Sequence, residues 1–151
     1  MIEYKTNIPK ISLTKKATEI PKVKIKCSSD INEYVRNFYH EDLTLYESFF
    51  IVLLNQSHNT IGYVKISQGG IVGTVVDIRL ICKYAIEALA VSIVFVHNHP
   101  SGNLTPSEAD KRLTTKAIKA LDVFDIKVLD HIIIVEEPDK YYSFADEGIL
   151  Y

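Results

Sequence analysis

The chain has 151 residues, 47% hydrophobic and 24% charged, with a formal net charge of −2. This length suits one domain with a real core, and no apolar run approaches the roughly 18 residues that a membrane-spanning helix needs. A balance so close to neutral excludes a globally basic nucleic-acid binder, and the opening MIEYKTNIPK has no apolar stretch of the kind that marks a secretory signal.

Cys27 and Cys82 form no C-x-x-C pair and read as reduced, buried thiols of a cytoplasmic protein. Charge is unevenly spread. Residues 1–26 hold seven lysines against two glutamates, whereas the remainder has ten Lys and Arg against seventeen Asp and Glu. The expected organisation is a lysine-rich arm over 1–28 and one domain over 29–151. Such an arm is either a solvated terminus or a contact for an acidic partner or a nucleic-acid backbone.

In chain order, two prolines and an irregular apolar pattern make 7–26 an extended arm or short edge strands. SSDINEYVRNFYHED predicts a helix capped by Ser28, Ser29 or Asp30, with Ile31, Tyr34, Val35 and Phe38 at helical spacing. ESFFIVLLN reads as a buried strand, QSHNT as a turn and IGYVKIS as the returning arm of a hairpin. After the glycine-marked QGGIVG loop, Asp77 caps a helix running to about Ala90, with Ile78, Ile81, Ala85 and Leu89 on one face. SIVFV is a short apolar strand suited to the middle of a sheet. In TPSEADKRLTTKAIKALDVF, Thr105 stands at the N-cap, Pro106 at N1 and Glu108 at N3, the pattern of a capping box. IKVLDHIIIVEE is another strand region, with a break expected near Asp130. Turns and a short strand close the chain. The order predicts an α/β fold with helices packed on a mixed sheet.

The chemistry concentrates in HNHPSGNLTPSEAD. His97 and His99 lie just past the end of an apolar strand and, two residues apart, can point the same way. Ser107 and Asp110 share one face of the following helix, in the turns nearest that loop. Two imidazoles and a carboxylate are a suitable three-ligand set for zinc, with a fourth position open to water. The alternative is a polar loop leaving a buried strand, with Asp110 serving only the helix dipole. A hydrolase also needs a general base that does not bind the metal. Glu47, directly before its strand, is the first candidate, with Glu41 and Asp42 as rivals; Ser107 can donate to an oxyanion.

These residues resemble the JAMM (MPN+ or JAB) metalloprotease signature, H-x-H-P followed by S-x-x-D, and HNHPSG…PS..D is similar to its RadC-like branch in particular. The likeness extends over residues 40–151, including GTVVDIRLICKYAI, LTTKAI and LDHIII…YYSFADEGIL. It implies a cytidine-deaminase-like α/β sandwich and a bound Zn2+ held by His97, His99 and Asp110. It also implies Glu47 as the base acting on a zinc-activated water and Ser107 as stabiliser of the oxyanion. Characterised JAMM proteins hydrolyse peptide or isopeptide bonds, often at ubiquitin-like modifiers, so the implied partner is a peptide or protein substrate. Asp130-His131 matches a family dipeptide, and His131 reads as either a support to the metal site or a structural histidine.

The chain departs from the family at Ile78, where RadC-like chains often have proline, and residues 1–40 are too short and strand-like for the DNA-binding region of larger relatives. A DNA-associated accessory protein and a catalytically dead MPN scaffold are the alternatives to a hydrolase. An HNH nuclease needs its residues spread over a hairpin and helix, and a zinc deaminase needs a P-C-x-x-C that is absent here.

Overall fold

A computed structural model describes residues 8–39, 43–69 and 75–151. Most of the glycine-marked loop expected after the hairpin, residues 70–73, lies outside them. Among the described residues, eight elements follow in order: α1 (Ser28–Val35), β1 (Ser48–Leu54), β2 (Thr60–Gln68), α2 (Ile78–Glu87), β3 (Ser92–Asn98), α3 (Glu108–Asp122), β4 (Lys127–Ile134) and β5 (Tyr141–Ser143). The strands form one sheet in the order β2-β1-β3-β4-β5. Only β3 and β4 run parallel, joined through α3; the other neighbours are antiparallel. This is the mixed α/β sheet with helices that the sequence predicts.

The sheet is buried on both faces, and the period of two along each strand divides its side chains. Phe50, Val52, Leu54, Val94, Val96, Ile132 and Ile134 pack with Ile31, Tyr34 and Val35 of α1. Phe49, Ile51, Leu53, Ile93 and Phe95 pack with Ile81 and Ala85 of α2 and with Ala117 and Leu121 of α3. Continuous apolar runs such as FFIVLL are the sequence signature of strands covered on both sides. The irregular segment before α1 carries one antiparallel bridge, Lys24 to Asn59, and its Ile25 is buried with the α1 layer.

Several local expectations need correction. The first helix is capped at Cys27, and Asp30 stands at N3, where its Oδ2 accepts the Lys26 and Cys27 N–H groups. Cys27 is exposed and so is not a core thiol; Cys82 is half-buried and packs against the core on the α2 and α3 side, and that partial burial raises its pKa. Asp77 caps α2 as expected, accepting the Arg79 N–H at 2.9 Å. That helix stops at Glu87, however, and Leu89 is 82% exposed rather than on the buried face. Leu89 adopts φ 55°, while Leu89 N–H bonds to Ile86 C=O and Ala90 N–H to Ala85 C=O. This is a Schellman termination with leucine in the left-handed position that glycine usually fills.

β4 is not broken near Asp130. It carries a bulge there, since Ile93 pairs with Val128 but Val94 with Asp130. The buried Asp130 carboxylate accepts bonds from Ser143 Oγ and from the Ala145 and His131 N–H groups, which fastens β5 and the chain end to β4.

Candidate metal centre

β3 continues through His97 and Asn98, beyond the apolar SIVFV. The two polar residues extend the strand because each finds buried partners, one on either face of the sheet. His97 follows Ile93 and Phe95 on the α3 side and is fully buried. Asn98 lies on the other side, where Oδ1 accepts the Ser48 N–H at 2.8 Å and Nδ2 donates to the Leu43 and Tyr46 carbonyls. His99 begins the loop, and its N–H bonds to the Ile134 carbonyl of β4. Gly102, at φ 80°, then turns the chain toward α3.

The start of α3 also differs from expectation. Ser107, not Thr105, is the N-cap, and the capping box is Ser107 with Asp110 at N3. Both T-x-x-E and S-x-x-D satisfy the pattern. The second wins because Ser107 Oγ accepts the Asp110 N–H while Asp110 Oδ2 accepts the Ser107 N–H at 2.7 Å. Ser107 Oγ–H also donates to that Oδ2 at 2.7 Å. The cap therefore fixes the carboxylate that faces the histidines.

One ligand atom from each of His97, His99 and Asp110 falls within a set no wider than 4.8 Å. His97 Nε2 lies 2.9 Å from His99 Nε2 and 3.4 Å from Asp110 Oδ1, and His99 Nε2 lies 3.6 Å from Asp110 Oδ2. His99 Nδ1 bonds to the Asn103 carbonyl, which can only accept. His99 therefore carries a proton on Nδ1 and turns Nε2 toward the carboxylate and its neighbouring imidazole. A largely enclosed group of convergent acceptors, with His97 buried and His99 and Asp110 partly exposed, wants a cation, so this donor set fits a metal ion.

Burial opposes a charge on His99, but the Asp110 carboxylate, the Asn103 carbonyl and the field of Glu47 outweigh it and raise the His99 pKa. Burial also pushes the Asp110 carboxyl upward, yet His97, His99 and Ser107 prevail and hold it well below the usual carboxylate range.

The centre opens into a cavity of about 520 Å³ lined by Glu47, Phe49, Val76, His97, His99, Ser107, Asp110 and Leu113. All five residues singled out from the sequence thus border one space. Glu41 and Asp42 lie outside the described residues. His131, buried behind the centre, approaches His97 Nδ1 with Nε2 at 2.7 Å, and its Nδ1 lies 2.6 Å from Thr114 Oγ1. Burial, reinforced by neighbouring His97, lowers its pKa well below the ordinary value and keeps it neutral. Sequence reading missed Asn98, Asn103 and Thr114. The first stood inside the HNH string, and the others bear no motif, since their roles arise from contacts rather than spacing.

Residues 25–149 match the family described as the RadC-like JAB domain. The chain belongs to that family. Among curated relatives, a UPF0758 protein of Flavobacterium johnsoniae is 49% identical over 104 residues, 69% of this chain and 44% of that protein. One from Porphyromonas gingivalis is 43% identical over 69% of this chain and 45% of the relative. The UPF0758 protein YfjY of Escherichia coli is 39% identical over 69% and 64%. The chain thus spans about half the length of the relatives it matches. Among the described residues, no helix is long and apolar enough to cross a membrane.

Proposed function

We propose that this chain is a zinc-dependent hydrolase of the JAMM type that cleaves peptide or isopeptide bonds. The observation that carries this reading is the convergence of His97, His99 and Asp110 on a cavity that Glu47 and Ser107 also line. Zinc held there would supply Lewis acidity, lowering the pKa of water toward neutrality and polarising a carbonyl. Glu47 is the general base: it takes a proton from the attacking water and delivers it to the leaving amine.

Ser107 donates its hydroxyl to Asp110 Oδ2 in the resting site, and its backbone N–H donates to the same oxygen. Turning the hydroxyl toward a substrate oxyanion therefore leaves the carboxylate still held. Phe49, Val76 and Leu113 give the cavity an apolar wall against which a peptide can exclude water. The substrate class is a peptide or protein, including chains linked through isopeptide bonds to ubiquitin-like modifiers.

The test is to incubate zinc-loaded protein with a diverse peptide library and read new termini by mass spectrometry, with Glu47→Gln alongside. Cleavage by the wild type and not by the variant, with zinc retained in both, is the expected result. Equal cleavage by both would remove Glu47 from its role, and zinc uptake unaffected by His97→Ala would remove the site.

A further inference from the structure

His97 is an unusual buried ligand candidate because its rear nitrogen meets another imidazole. A carbonyl or carboxylate behind a histidine dictates which nitrogen holds the proton; a second histidine does not, because it too has two tautomers. Something further back must decide, and the hydrogen bonds of α3 provide it.

Thr114 Oγ1 lies 2.7 Å from the backbone carbonyl of Asp110, one turn earlier, and 2.6 Å from His131 Nδ1. The hydroxyl has one proton. Given to His131, it would leave Oγ1 and the carbonyl oxygen facing each other at 2.7 Å with nothing between them. Given to the carbonyl, it satisfies both contacts, since His131 Nδ1–H then donates to Oγ1. His131 is fully buried, stacked on Phe144 and edge-on to Phe95. Enclosed in that apolar surround, the ring carries a single proton and presents a lone pair at Nε2, and His97 Nδ1–H must donate to it across 2.7 Å. The proton of His97 is thereby placed at the rear and its Nε2 is left as a lone pair toward Asp110 and His99.

We propose that Thr114 and His131 are positioning residues that hold His97 in the Nδ1–H tautomer, with the Asp110 carbonyl setting the direction of the whole chain of bonds. The inference deepens the metal reading of the same site, and rests on it for the use to which Nε2 is put. Asp110 then acts twice: its carboxylate faces the centre, and its main chain, through Thr114 and His131, prepares His97.

Long-range proton–nitrogen NMR on histidine-labelled, metal-free protein reads the tautomers directly, and a competing chelator reads zinc affinity. The wild type is expected to show Nδ1–H tautomers at both His97 and His131. Thr114→Val keeps the shape but removes the hydroxyl, so the tautomers should mix and zinc affinity fall about 10- to 100-fold. Thr114→Ser should restore both, which a purely steric role for Thr114 would not do.

An Nε2–H tautomer at His97 or His131 in the wild type overturns the proposal and needs no variant to fold. So does Thr114→Val with unaltered tautomers and affinity. A wild type that takes up no zinc yet shows both Nδ1–H tautomers supports the positioning chain while ending the metal reading.

Discussion

The carboxamide of Asn98 accepts the backbone N–H of Ser48 at 2.8 Å, one residue after Glu47, and donates to the carbonyl of Tyr46, one residue before it. The candidate base is therefore held on both sides by the residue that separates His97 from His99. The base segment and the metal ligands are positioned by the same strand end.

Replacing Asn98 by alanine should loosen that segment without touching a ligand. The buried bond to Ser48 and the part-buried bonds to Leu43 and Tyr46 are lost and their backbone partners left wanting, at a cost of about 2–3 kcal/mol in stability. Hydrogen exchange should show the Ser48 amide losing protection, while zinc affinity stays within a few-fold of the wild type. A Ser48 amide protected as before would show that other contacts hold the Glu47 segment.

Zinc affinity should depend on pH through His99. Its raised pKa means that the metal must displace a proton held more tightly than on an ordinary imidazole. As pH falls through that raised pKa, apparent affinity should drop about tenfold per pH unit, and the decline should begin above the usual histidine value of about 6.5. Chelator competition between pH 6 and 8 measures it. A flat profile over that range would show that His99 holds no competing proton.

His131 should make the metal-free fold sensitive to acid. Its folded pKa is depressed, so the unfolded chain takes up a proton as pH falls below about 6.5 while the native chain does not. Stability from this group is thus present above about 6.5 and lost as pH falls toward the depressed value. His99 has the opposite sign, contributing at low pH and losing that contribution as pH rises through its raised pKa. Between pH 7.5 and 5.5, denaturation midpoints of the wild type should therefore fall relative to His131→Gln by the equivalent of about 1 kcal/mol. Parallel pH dependences would show that His131 is not the group responsible.

Leu89→Gly should stabilise the protein. The position is exposed and left-handed, and relief of that conformation is worth about 1 kcal/mol, less the entropy that glycine adds to the unfolded chain. A thermal midpoint higher by a few degrees is expected; a lower one would mean that the leucine side chain makes a contact worth more than the strain.

Much of this was legible in the sequence because it rests on periodicity and short-range spacing. FFIVLL and SIVFV announce strands buried on both faces, Asp77 announces a helix start, and H-x-H with S-x-x-D places four site residues at one corner. The errors came where two local patterns compete or where distant partners decide. Thr105 and Ser107 both head a capping pattern, and only the hydrogen bonds of Asp110 choose between them. His97 and Asn98 look like the polar end of a strand until Ser48, Tyr46 and His131 arrive to satisfy them. Leu89 continues the helical period by spacing, yet the chain has already turned. Thr114 reads as an ordinary helix residue, since nothing near it in sequence signals a histidine 17 positions later.

Because His97 and Asn98 are consecutive in β3, one faces the ligands and the other the loop that carries Glu47. Gaining or losing a single residue within β3 would exchange those faces and disable both halves together, whereas a change of two would preserve the alternation. Natural length variation in this family should therefore avoid single-residue insertions and deletions between Ser92 and Asn98, while the segments on either side remain freer to change.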